Sequence, residues 1–158
     1  MRDCVIRSVG WTAPEASISN TELVAVFNAY AERFNTENAD AIERGDLNAI
    51  PFSSEQFIEQ ASGILNRHVV DKVGLMDIDR MRPRIPHREK EALAFQAEFG
   101  LSAARKALEK AGRTADDVDG VIVASSAQQR NFPAVSVEIQ NALGMTRGWA
   151  FDMTMACA

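Results

Sequence analysis

The sequence predicts an α/β fold, a mostly parallel sheet with helices packed on its faces, and three observations carry that expectation. Apolar runs of strand length alternate with segments of helical period in the order β, α, α, α, β, α, β. Val121-Ile122-Val123-Ala124 is an unbroken apolar run of the kind found in parallel sheets covered on both faces. From Leu93 to Leu108 the apolar positions recur every three to four residues, and Gly112 stands where a left-handed cap would end the helix.

Taken in order, Val5 to Val9 before Gly10 reads as a first, buried strand. Ser19 and Glu22 form a capping box, and Leu23, Val26, Phe27, Tyr30 and Phe34 set the apolar stripe of a helix running to about Asn35. The polar stretch from Asn35 to Pro51, with a short helical look at Ala39 to Arg44, is a surface excursion. Ser53 or Ser54 caps a helix carrying Phe57, Ile58 and Ala61, which Gly63 ends. Val69 to Pro86 contains Arg82-Pro83 and Ile85-Pro86 and is expected as an extended loop or irregular hairpin. The long helix opens near His87. Asp119-Gly120 turns into the strand at Val121, Pro133 starts a helix with Val135, Val137, Ile139 and Leu143 inside, and Trp149 to Phe151 is a last strand that stops at Asp152.

Composition narrows the function. Hydrophobic residues at 46% and charged residues at 25% sit near globular averages, so a disordered or fibrous chain is excluded. The net charge is −5 with the basic residues scattered, which argues against a nucleic-acid partner. No stretch approaches the roughly 18 apolar residues of a membrane helix, and the N-terminus has no export signal, so a cytoplasmic protein without a membrane partner is expected. The two cysteines, Cys4 and Cys157, are expected as free thiols, and His68 and His87 have no ligand spacing, so no metal is expected.

The chemistry concentrates at Phe151-Asp152-Met153-Thr154-Met155-Ala156-Cys157-Ala158, where a lone cysteine sits among small or apolar neighbours just beyond a buried strand. A thiol at a strand-to-helix turn feels the helix amides, which favour thiolate and lower its pKa from about 8.5. From these residues alone two readings stand: a nucleophile at the sheet edge, or a buried inert cysteine.

Five segments in register then resemble the ketoacyl synthase III family of thiolase-like condensing enzymes. The ending Ala156-Cys157-Ala158 resembles that family's active-site segment. Gly63-Ile64 with Arg67-His68 is similar to its Gly-Ile, Arg-His signature, Ala104 to Gly112 to its helix ending in Ala-Gly, and Val121 to Ser126 to its second strand. Phe132-Pro133, followed by Ile139-Gln140 and Leu143-Gly144, resembles the segment between that strand and the cysteine.

The resemblance implies that residues 1–158 are an N-terminal thiolase-like half-domain with insertions at about 30–52 and 70–90. It implies that Cys157 takes an acyl group from acyl-CoA, with its amide in the oxyanion hole, and condenses it with malonyl carried on acyl carrier protein, releasing carbon dioxide. No resident cofactor is implied, since the coenzyme A thioester is a substrate. Phe132 matches a residue that crosses a homodimer interface and lines the partner's acyl pocket; an ordinary core or interface aromatic is the other reading. Phe57 and Ala61 stand where the family often has Trp and Arg against the coenzyme A nucleotide, so stacking is kept and the cationic contact is lost. Arg67 is either a phosphate contact or, as the preferred reading, a salt bridge supporting the fold. The insertions resemble those of a subgroup associated with medium-chain primers, and either reshape the tunnel mouth or decorate the surface. The decarboxylating His and Asn are expected from a remaining C-terminal half, which is counted as a partner. Two alternatives remain: an acyltransferase that uses another acceptor without decarboxylation, and a non-catalytic thiolase-like subunit.

Overall fold

The computed structural model describes residues 4–154, and the chain divides into two compact units. Ala13–Pro86 forms one; the residues up to Thr12 together with those from His87 onward form the other.

In the Ala13–Pro86 unit, β1 (Ser17–Ser19) pairs antiparallel with β2 (Asn66–His68), Ile18 opposite Arg67. Neither strand is expected from the sequence, since three residues are too few to show a period of two. The capping box starts α1 (Asn20–Glu37): the Ser19 hydroxyl accepts from the Glu22 amide and the Glu22 carboxylate accepts from the Ser19 amide. Lys72 closes on the same carboxylate at 2.6 Å. The Lys72 ion pair, ahead of the Ser19 amide, holds the Glu22 carboxyl down at about 2. The short α2 (Ala39–Glu43) follows, then α3 (Glu55–Ser62), whose amide at Phe57 donates to Ser54 and whose end is turned by Gly63 at φ 68°. The expected loop over 69–86 instead contains α4 (Lys72–Met76), because Asp71 caps it by accepting from the Gly74 amide at 3.0 Å. The prolines lie beyond this turn and do not oppose it.

The other unit is built on α5 (Phe95–Ala111), a 3-10 turn at Ala115–Asp117, β3 (Gly120–Ala124), α6 (Val135–Leu143) and β4 (Trp149–Met153). β3 and β4 pair in parallel, from Gly120 opposite Trp149 to Ala124 opposite Met153. One face of the pair is covered: Val121 and Val123 pack with Leu93 and Leu143 against a buried cluster of Ala94, Ala97, Val135 and Ile139. On the other face Ile122, Trp149, Phe151 and Met153 are each about half exposed.

Two expectations need correction here. Val5 to Val9 is neither a strand nor buried: Ile6 is 89% exposed, and the segment is held to α5 by hydrogen bonds between side chains and backbone rather than by a ladder. Ser8 donates to the Ala107 carbonyl at 2.6 Å and Lys106 to that of Trp11 at 3.1 Å. The long helix also starts at Phe95, not at His87. The Ala94 amide is taken by the Glu138 carboxylate at 2.7 Å and the Leu93 carbonyl by Arg88 at 2.7 Å, so the backbone before Phe95 finds its partners outside the helix.

Candidate functional site at the carboxyl edge of the parallel pair

Because β3 and β4 run in parallel with Ala124 opposite Met153, both strands finish at one edge. The Ser125 amide extends the ladder by donating to the Met153 carbonyl at 3.0 Å. From that edge leave two segments: the loop that carries Phe132, and the chain that leads from Met153 toward Cys157. Cys157 itself lies outside the described residues.

Asp152 ties this edge to the next helix. Its carboxylate accepts from the Val135 and Ser136 amides, both at 2.8 Å, so a side chain on β4 caps α6 from outside the helix. Burial pushes the Asp152 carboxyl up, but the hydrogen bonds from Ser136 and Val135 outweigh it and leave the group below the usual carboxylate range. The strand does not stop at Asp152 as expected but continues through Met153.

A second charged group is buried in α6. Glu138 is 5% exposed and pairs with Arg130 through two contacts, Nε to Oε1 at 3.0 Å and Nη2 to Oε2 at 2.9 Å. Arg130 also donates to the carbonyls of Lys90 at 3.2 Å and Ala92 at 2.7 Å. Sequence reading placed Val137 inside α6, yet it is 40% exposed and Ser136 and Glu138 are inside instead. Val137 is two positions, about 200°, from Val135 around the helix, and the buried side is chosen by what meets it. The available signals were a carboxylate in an apolar helix and the polar run Gln128-Gln129-Arg130 that begins four residues after β3.

Phe132 is 87% exposed, which removes the reading of it as a core aromatic of this chain. Phe57, in the other unit, is also exposed and lines an apolar cavity of about 570 Å³ with Leu23, Phe27, Phe52, Ile58 and Met81. No charged side chain lines that cavity among the described residues. Arg67 does not make the expected salt bridge: its guanidinium donates to the side-chain oxygen of buried Asn20 at 2.9 Å. The Asn20 amide nitrogen in turn reaches the Ile64 carbonyl at 2.7 Å, so a neutral amide, not a carboxylate, satisfies the arginine. His68 pairs with the Pro14 carbonyl through Nδ1 at 2.8 Å. Among the described residues no group of three His, Cys, Asp or Glu side chains converges as metal ligands, and no helix is long and apolar enough to cross a membrane.

The family described as beta-ketoacyl synthase, N-terminal domain, matches residues 25–157. The chain belongs to the beta-ketoacyl synthase family. It is 46% identical over 132 residues to a beta-ketodecanoyl acyl-carrier-protein synthase of Pseudomonas aeruginosa, an alignment that covers 84% of this chain and 37% of that protein. It is 34% identical over all 158 residues to a beta-ketoacyl acyl-carrier-protein synthase III of Acidiphilium cryptum, covering 36% of it. This beta-ketoacyl synthase chain therefore spans a little over a third of the length of those relatives. Among solved structures it resembles the 3-oxoacyl acyl-carrier-protein synthase III of Aquifex aeolicus, with a TM-score of 0.58 and 18% identity over 94% of this chain and 33% of that one. The synthase III of Pseudomonas aeruginosa PAO1 gives a TM-score of 0.58 with 23% identity, over 94% and 31% of the two chains. At those identities the likeness is one of fold, shared with about a third of each of those synthase III chains.

Proposed function

We propose that this chain is the nucleophile-bearing half of a condensing acyltransferase of the ketoacyl synthase III type, with Cys157 as the catalytic residue. Its thiolate attacks the carbonyl of an acyl-CoA thioester, the tetrahedral adduct collapses with loss of the coenzyme A thiolate, and the acyl group stays on sulfur. Malonyl on acyl carrier protein then loses carbon dioxide, and the resulting carbanion attacks the acyl-cysteine carbonyl, releasing the thiolate and a β-ketoacyl product. A His and an Asn from a C-terminal half would stabilise the developing enolate. We assign Phe132 to the acyl pocket of a partner subunit in a cytoplasmic homodimer and Phe57 to the nucleotide of coenzyme A. The exposure of both rings suits contact with a ligand or a second chain.

The observation that carries the reading is the common edge of the parallel pair, from which the Phe132 loop and the segment bearing Cys157 both depart in a chain of this family. A relative whose name specifies a beta-ketodecanoyl group suggests the primer. A condensation that adds two carbons arrives at that length from eight, so we extend to this chain a preference for medium-chain acyl-CoA.

The test uses the holoenzyme with the C-terminal half present. Incubation with octanoyl-CoA or acetyl-CoA, followed by intact mass, is expected to give an octanoyl adduct faster than an acetyl adduct and none in Cys157→Ala. An unchanged adduct in that variant removes Cys157 from the role; faster acetylation overturns the medium-chain preference; an acyl-enzyme that releases no carbon dioxide with malonyl carrier protein points to another acceptor.

A further inference from the structure

An aromatic ring that is 87% exposed has no packing of its own to fix its position, so Phe132 stands wherever its backbone is held. That backbone belongs to neither a strand nor a helix, since the chain from Ser125 to Ala134 leaves β3 and reaches α6 without regular structure. Side chains hold it instead. Gln129 accepts from the Phe95 amide at 2.9 Å, the Ala127 carbonyl accepts from Gln96, and Gln128 reaches Asp152 at 3.4 Å. Arg130 makes the largest set of these ties, bound at once to Glu138 and to the carbonyls of Lys90 and Ala92. Arg130 precedes Phe132 by two residues and Glu138 follows it by six, so the ion pair closes the chain on both sides of the ring. The planar guanidinium meets the carboxylate through two nitrogens and the two carbonyls at fixed angles, whereas an ammonium offers three donors on one rotating nitrogen.

We propose that Arg130, locked by Glu138, is a positioning residue that sets how far Phe132 projects and thereby the acyl chain length the enzyme accepts. The inference rests on the reading that Phe132 lines an acyl pocket, and it assigns Arg130 no contact with substrate. A merely structural role for the pair would lower stability and leave the ratio of rates between long and short acyl chains untouched.

The experiment measures kcat/KM for Cys157 acylation with acetyl-, octanoyl- and dodecanoyl-CoA in the holoenzyme, for the wild type, Phe132→Ala, Arg130→Gln, and Arg130→Gln combined with Phe132→Ala. Melting temperature is recorded for each. A pocket wall that discriminates single methylenes is worth about tenfold in kcat/KM, so Phe132→Ala is expected to change the dodecanoyl-to-octanoyl ratio by about that factor. Arg130→Gln is expected to change it in the same direction by about threefold or more, and to add nothing once Phe132 is gone. Where loss of the partner to buried Glu138 prevents folding, Arg130→Lys retains the charge, gives up the fork, and is expected to show the same change in ratio.

If Phe132→Ala changes the ratio while both Arg130 variants lower only the melting temperature, the positioning role is overturned and the Phe132 reading survives. Additive effects of the two substitutions likewise overturn it. If Phe132→Ala leaves the ratio unchanged, the assignment of Phe132 fails and this inference falls with it.

Discussion

Removing the Asp152 carboxylate tests the tie that joins the edge of the sheet to α6. In Asp152→Ala the amides of Val135 and Ser136 lose their acceptor, and these residues are themselves 2% and 0% exposed. Loss of a side-chain cap costs about 1 kcal/mol, and orphaning a buried donor adds about 1–3, so a total of about 2–4 kcal/mol is expected. Asp152→Asn keeps a neutral oxygen and gives up the charge at the helix terminus, about 1 kcal/mol. With a urea slope of about 2 kcal/mol/M, the alanine variant should move the unfolding midpoint down by about 1–2 M. The pH dependence has a defined sign. The folded pKa of Asp152 lies below its unfolded value of about 3.9, so the ionic part of the contribution is complete above that pH and is lost as pH falls through the folded value. The wild type and Asp152→Asn should therefore differ at pH 7 and converge in acid. A cost under about 0.5 kcal/mol in the alanine variant, or a gap between wild type and asparagine that is the same at pH 2 as at pH 7, would show that the carboxylate does not act as this cap.

Two further outcomes are expected. Glu22, held at about 2 first by Lys72 and then by the Ser19 amide, should titrate by carboxyl NMR near that value, and Lys72→Met should return it toward the ordinary range. Its stabilising effect is present above about 4.3 and disappears as pH falls through about 2; a midpoint unmoved by Lys72→Met would mean the ion pair is not its cause. Gly10→Ala places a methyl 2.6 Å from the Ala107 nitrogen on α5, so the segment must lift off the helix at a cost of about 1–3 kcal/mol. Chemical denaturation checks it, and a change within about 0.5 kcal/mol would mean the segment does not lie on α5 in solution.

Local rules recover the helices well. Ser19 with Glu22, Ser54, Gly63, Gly112 and Gly144 occupy the caps expected of them, because a cap is decided by residues within one turn. The failures have one origin. Val5 to Val9 has strand chemistry but lies along α5; His87 to Leu93 has helical chemistry but gives the Lys90 and Ala92 carbonyls to Arg130; Val137 was assigned inward by apolarity, and Ser136 and Glu138 took the buried side. In each case a partner far along the chain settled which hydrogen bonds were made, and propensity yielded to it.

The site divides in the same way. Sequence alone determined the α/β class, the main helices, the strand that leads toward Cys157 and the family resemblance, because these rest on residue type and spacing along one segment. Only the tertiary structure decided that β3 and β4 end at the same edge, that Asp152 caps a helix begun seventeen residues earlier, and that Arg130 meets Glu138 and two carbonyls around residue 91. A side chain's worth depends on the donor or acceptor that folding brings within about 3 Å, and that meeting is a property of the packed chain, not of any stretch of it.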